Sequence, residues 1–520
     1  MDTARCGRRT SCFGLRGHHP SDEMAELMIK SSLPLRSRAA TAPLLNWVRR
    51  PRVLMTVNWI GQFTLVFALL FFQGMNTPHG LVTMGLSPAR MIEIFGFADA
   101  GSYLQAAQNL VANGRIVPEW QWVYNLWPPG MVWLDALSMR FSPLSYGLTI
   151  GLVTTLVWSI VLALLTWPFI RTLRSAALVF VLELLVLSTS PFQSWMFDEG
   201  LFYADGLAAG LFLIGLILIV NRARQPAPLQ SWIRDGLFAG TAFASSIYLR
   251  ASYQLVPYAL GAVALVVAVL ALIAHLKKTD SAPLVRQAVL VATAALSVAI
   301  LMQPYSFFVQ RTMDRAQFVQ TEDLVYEHAW EDPATDTIPQ WMRDGGSTVG
   351  CDIDPVQCAV LKSEASAGQP PTSEALKDSL IAAILAHPLE FVANRVPVVA
   401  QQWFGDELDS YSHVETDFTS GPVSYSSSEN LNPAQGLFYL SLLLVALATS
   451  IMLAVRGRWV LLVFPILALV LLAPFAIVHV EVRYLMPLKL MGLLAPLLYL
   501  TWHQDRIAKR SSIPPVKTDS

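Results

Sequence analysis

The chain has 520 residues, of which 54% are hydrophobic and 14% charged, with a formal net charge of −1 and a mean hydropathy of +0.47. A soluble domain carries roughly 25% charged residues, so this composition excludes an ordinary soluble globule and points to an all-α polytopic membrane protein. No basic patch with interleaved aromatics stands apart from the membrane flanks, so nothing indicates a nucleic-acid partner.

Residues 1–53 are polar and basic and read as a disordered cytoplasmic tail, with Met24 and Met28 as alternative starts. A spanning helix needs about 20 apolar residues. Ten segments are candidates: 54–73, 144–168, 176–192, 205–221, 236–250, 254–275, 287–307, 434–455, 459–479 and 484–502. The shortest are 176–192 and 236–250, and the latter has a buried hairpin as its alternative. With ten spans and a cytoplasmic N-terminus, 24 of the 36 Lys and Arg fall inside but only 8 of the 37 Asp and Glu. That bias follows the positive-inside rule and puts both termini, including 503–520, in the cytoplasm.

Two outer segments are too long to be mere connections. The first, 74–143 within an N-terminal module of 54–307, holds Phe97–Gly130. In it a helical run places Tyr103, Ala107 and Leu110 on one face. Gly114 is set to end that helix. Trp120, Trp122, Tyr124 and Trp127 follow, and then a Pro128-Pro129-Gly130 corner. The second, 308–433, reads as a small outer domain between spans seven and eight, with helical pieces at 373–386 and 388–404. A C-terminal module of 434–502 completes the chain. Cys351 and Cys358 lie in the second outer segment, where they are either two thiols or, outside the cytoplasm, a disulfide pair.

This topology gathers Asp99, Asp198, Glu199, Asp205, Arg250, His479, Glu481, Arg483 and Tyr484 at the outer ends of helices. Asp99 and Asp205 suit either helix N-caps or functional carboxylates, a general base or a cation ligand. Arg250 and Arg483 suit a phosphate, whose oxygens a guanidinium fork matches. Their plainer role is snorkelling or an ion pair with a neighbouring carboxylate. Glu183 sits deep in an apolar run, where a carboxyl needs a proton or a partner. Walker, dinucleotide, Gly-x-Ser-x-Gly and His-Glu-x-x-His motifs are all missing, so a nucleotide-dependent reaction is not expected. Chemistry on an outer face would then use a lipid-borne donor.

Asp99-Ala-Gly-Ser-Tyr103, Ala107, Gly114 and Trp127-Pro128-Pro129-Gly130 together resemble the GT-C superfamily of membrane glycosyltransferases. The nearest branch is that of the protein mannosyltransferases and aminoarabinose transferases. Ser190-Pro191 with Asp205, and Glu481-Val482-Arg483-Tyr484-Leu485-Met486-Pro487, extend the resemblance over residues 54–502. The resemblance implies an enzyme of the bacterial inner membrane acting on its outer face. Its donor would be a polyprenyl-phosphate sugar, and its acceptor an extracytoplasmic lipid, glycan or protein. Asp99 would then be catalytic, Asp205 would hold the acceptor or a divalent cation, and Arg483 with Arg250 would hold the donor phosphate. Tyr103, Glu481, Tyr484 and His479 would support them. Many members carry a second acid beside the first, where this chain has Ala100, and many place their soluble domain after the last span. Rival readings are a transporter or lipid flippase, a polysaccharide polymerase or ligase, and a non-catalytic relative.

Overall fold

The computed structural model describes residues 51–76, 99–141, 146–170, 173–189, 204–313, 322–332, 334, 336, 346, 348–405, 431–477 and 482–511. The basic-tail expectation for 1–53 falls almost wholly outside them, as do Asp198, Glu199, His479 and Glu481. Two compact units are present, Met1–Asn58 and Trp59–Ser520.

Among the described residues the fold is all helical, with one isolated bridge between Gly405 and Leu431. The helices are α1 (Pro51–Asn76), α2 (Asp99–Asn113), α3 (Gln121–Leu126), α4 (Gly130–Phe141), α5 (Tyr146–Thr166), α6 (Leu173–Leu187), α7 (Ala204–Arg224), α8 (Leu229–Leu249), α9 (Val256–Leu276) and α10 (Ala282–Met313). They continue with α11 (Glu322–Ala329), α12 (Val349–Ile353), α13 (Pro355–Ser366), α14 (Ser373–Ala386), α15 (Pro388–Phe404), α16 (Pro433–Val455), α17 (Val463–Ile477), α18 (Val482–Gly492) and α19 (Ala495–Ser511).

A helix stands at each of the ten predicted span positions, and seven segments are long and apolar enough to cross a membrane. These are Val53–Leu70, Tyr146–Phe169, Ala204–Arg224, Ala251–Leu276, Ala282–Arg311, Pro433–Val455 and Arg483–Arg506. The apolar helices Ser175–Leu187 and Trp459–Ala473 are shorter. α8 has the length, at 21 residues, but is diluted by Gly, Ser, Thr and the Arg234-Asp235 pair. It is one continuous helix, so the hairpin alternative for 236–250 is wrong. Its glycines explain why a polar-looking stretch packs as it does. A Cβ on Gly236 would stand 2.6 Å from the Leu290 carbonyl oxygen, and one on Gly240 would meet the Ala294 carbonyl oxygen, both on α10. Small residues four apart let two backbones approach where lipid offers no hydrophobic drive.

The central core lies among α5, α7, α8, α9, α10, α16, α17 and the α18–α19 pair, with α2 and α4 packed on it. α7 is its axis: Leu207, Ala208, Phe212, Leu216, Ile219 and Val220 are all buried, and exposed leucines instead mark α6, α9 and α16. Glu183 on α6 finds its partner in α1. Gln62 Nε2 donates to Glu183 Oε2 at 2.6 Å, and both side chains are buried.

A second, smaller core is built from Trp330, Val349, Ile353, Leu361, Leu376, Leu380 and Ala383. Its helices are set by local chemistry. Asp354 caps α13 by accepting from the Gln357 amide at 3.0 Å, and Thr372 caps α14 by accepting from the Ala375 amide at 3.3 Å. Cys351 and Cys358, on α12 and α13, form a disulfide with an S–S distance of 1.97 Å. α15 returns to the membrane helices, where Trp403 Nε1 donates to the Gly436 carbonyl of α16 at 3.0 Å.

Candidate functional site

Four helix ends meet at one end of this core, and each brings a charge. α2 begins at Asp99, and Tyr103 follows one turn later on the same face. Gly114 ends α2 with φ +65, its amide donating to the Leu110 carbonyl at 2.9 Å, a left-handed stop that glycine adopts without strain. Asp205 is the second residue of α7. Arg250 stands just past α8 in an extended conformation, φ −144 and ψ 127. Arg483 and Tyr484 open α18.

Helix dipoles favour carboxylates at N-termini and cations at C-termini. Asp99, Asp205 and Arg250 obey that rule. Arg483 breaks it, sitting at the positive end of α18, so its charge must be held by other groups.

The side chains interlock. Arg250 Nε donates to Asp205 Oδ1 at 2.8 Å, within the range of a strong charge-assisted bond. The other edge of the same guanidinium reaches Asp99 Oδ2 at 3.5 Å and Tyr103 Oη at 3.3 Å. Arg483 Nη1 lies 3.6 Å from that same Asp99 oxygen. Tyr484 lies under both cations, its ring centroid 6.0 Å from the Arg250 guanidinium carbon and 5.3 Å from that of Arg483. Two carboxylates and two guanidiniums thus balance formally.

Exposure separates the members. The Arg250 and Asp205 side chains are 8% and 7% exposed, that of Arg483 is 14% and that of Asp99 25%. Asp205 Oδ2 is buried and has no hydrogen-bond partner among the described residues. Burial, tempered by the adjacent Arg250 guanidinium, pushes the Tyr103 phenol well above its ordinary range, so it remains a hydroxyl. Arg250 and Asp205 therefore form a fixed, dry pair, and Asp99 is an accessible carboxylate held loosely between two cations.

The aromatic corner fixes this loop on the bundle. The rings of Trp120, Trp122, Trp127 and Tyr103 follow one another at 6.2, 5.9 and 5.5 Å between centroids. Gly130, the first residue of α4, sits so close to α8 that a Cβ there would lie 2.7 Å from the Tyr248 carbonyl carbon. Trp133, on the next turn, has its ring 5.6 Å from that of Tyr248. The loop is thus pinned two residues before Arg250.

Of the residues singled out in the sequence, Asp99, Tyr103, Asp205, Arg250, Arg483 and Tyr484 come together here. Cys351 and Cys358 belong to the second, smaller core, and Glu183 pairs with Gln62. A bridging divalent cation does not fit this donor set, because Arg250 bridges both carboxylates, and no group of three or more His, Cys, Asp or Glu ligands occurs among the described residues.

Two charged residues escaped the sequence reading. Lys489 is 1% exposed within α18, its ammonium 5.6 Å from the Trp403 ring centroid. A lysine six positions after Arg483 in an apolar run is the signal that would have found it. Asp135 on α4 is also buried and accepts from Tyr146 Oη at 2.7 Å. No protein-family model matches this chain, and comparisons with curated proteins and with solved structures give no significant match.

Proposed function

We propose that the chain is a membrane glycosyltransferase that moves a sugar from a polyprenyl-phosphate donor to an extracytoplasmic acceptor. The supporting observation is the ionic cluster, in which chain positions from 99 to 483 contribute carboxylates and guanidiniums to one partly open site. In this reading all ten apolar helices span the bilayer, both termini are cytoplasmic and the cluster faces the outer leaflet. The resemblance of the first loop and of Glu481–Pro487 to the GT-C superfamily points the same way.

In this reading the donor phosphate takes the place of Asp99 against Arg483 and Arg250, whose ion pairs with Asp99 are the longest in the cluster. The guanidiniums then stabilise the charge that grows on the phosphate as the bond from the anomeric carbon to the phosphate oxygen breaks. Asp99, released, accepts the proton of the attacking acceptor hydroxyl as the new glycosidic bond forms. Asp205 keeps Arg250 in register, and Tyr103 adds a neutral donor at the same place. The 308–433 segment covers the site and helps choose the acceptor.

Mass spectrometry of polyprenyl-linked sugars and surface glycans, with and without the gene, tests this. Loss of one glycan modification with build-up of its lipid-linked donor supports the transferase. A transporter or flippase is the second reading, favoured by the buried Gln62–Glu183 pair inside apolar helices. Dependence on a proton gradient without consumption of a lipid-linked sugar would support it instead.

A further inference from the structure

At the end of the bundle away from the ionic cluster, two arginines lie over one indole. The span that begins at Arg483 runs 24 residues to Arg506, or about 36 Å at the α-helical rise. Arg506 is on α19, one turn beyond Trp502, and Arg456 is the first residue after α16. Their guanidinium carbons lie 5.5 and 5.6 Å from the Trp502 ring centroid. Both side chains are exposed.

The carboxylates at this end are committed elsewhere. Asp505 pairs with Arg458 at 2.9 Å, and Asp235 takes both Arg222 and Arg234. Arg458 also donates to the Ala223 carbonyl oxygen. Neither Arg456 nor Arg506 has a carboxylate partner among the described residues. Two like charges over a single ring repel, and the ring's quadrupole does not neutralise them. The Trp502 Nε1 donor is buried and likewise lacks an acceptor among the described residues.

We propose that Arg456, Trp502 and Arg506 form a binding site for a phosphate group, carried on an anionic lipid headgroup of the leaflet at this end. Guanidinium forks match phosphate oxygens in pairs, which an ammonium does not. The depth is that of headgroups, since α16 ends at Val455 and polar residues begin just past Thr501 on α19. An apolar wall adjoins the arginines. Met452, Val455 and Tyr499 are 44%, 71% and 54% exposed, which suits acyl chains and not a soluble phosphate.

The test uses the full chain in mixed micelles with equal amounts of phosphatidylglycerol and phosphatidylcholine, read by native mass spectrometry. The expected result is several-fold preferential retention of phosphatidylglycerol. Arg456→Gln/Arg506→Gln should abolish the preference, and Trp502→Phe should weaken it. Lys277→Gln/Lys278→Gln removes the same charge from the exposed turn at the same end and should leave it intact. Unchanged retention in the arginine double variant, or equal loss in the lysine double variant, overturns the site. A parallel arm measures the thermal midpoint in inorganic phosphate. A phosphate-induced rise that needs Arg456 and Arg506, with no lipid preference, overturns the lipid source. Monodisperse elution of each variant keeps misfolding from mimicking loss of binding.

Discussion

Arg250 and Asp205, 45 residues apart in the chain, meet at 2.8 Å in a buried bond that joins the end of α8 to the start of α7. A guanidinium left there without Asp205 would be a buried charge with only the longer Asp99 contact against it. Breaking such a pair from one side costs about 3–5 kcal/mol. Asp205→Ala should therefore lower the thermal midpoint in detergent markedly, as should Arg250→Met. The double variant should lose less than the two singles together, because neither charge is stranded. Strict additivity would mean the pair is not coupled.

Arg483 is more exposed than Arg250, so its removal should separate binding from folding. A hydrogen bond to a charged group contributes about 1.5–3 kcal/mol. Arg483→Gln should accordingly raise the KM for a polyprenyl-phosphate sugar by about ten- to a hundred-fold. Its thermal midpoint should stay close to that of the parent. Arg483→Lys restores charge without the fork and should recover only part of the loss. An unchanged KM in Arg483→Gln would remove this residue from the donor site.

Gly130 positions the aromatic corner against the backbone of Tyr248, two residues before Arg250. Gly130→Ala should push α4 off α8 and loosen the cluster. We expect a fall in transfer activity larger than the fall in stability, measured as kcat/KM against the thermal midpoint. Proportional losses in both would make Gly130 a purely structural residue.

Burial pushes the Asp135 carboxyl up to about 8, against the pull of the hydrogen bond from Tyr146. In the unfolded chain an aspartate titrates near about 3.9. Between these values the folded protein keeps a proton that the unfolded chain has lost, so this contribution to stability is complete below about 4 and falls as pH rises through about 8. Asp135→Asn keeps a neutral side chain of similar shape and should flatten the decline. Thermal midpoints from pH 5 to pH 9 check this, and parallel curves for parent and variant would contradict it.

Much of the site was legible because charge is scarce in this chain. Asp99, Asp205, Arg250 and Arg483 stood out at the ends of apolar runs, and charge bias put them on one side. Their pairing was not legible. Spacing along the chain says nothing about which helix ends touch, so the Arg250 bridge between Asp205 and Asp99 appeared only in three dimensions. α8 was hard to read for a related reason. Gly236 and Gly240 lower its apparent hydrophobicity while serving close packing on α10. The helical pieces expected at 373–386 and 388–404 are α14 and α15, Ser373–Ala386 and Pro388–Phe404. Lys489 and Asp135 were missed because each sits alone in an apolar context, and their partners Trp403 and Tyr146 carry no charge to pair with in sequence.

The most direct measurement is transfer of sugar from a purified polyprenyl-phosphate donor by the Asp99→Asn protein. Asparagine keeps the shape of Asp99 but removes the charge that Arg250 and Arg483 face, and with it the base of the proposed reaction. The account predicts a folded protein that still binds donor and whose kcat has dropped by about 10²–10⁴-fold. A stable Asp99→Asn protein with the parent's full rate would contradict it.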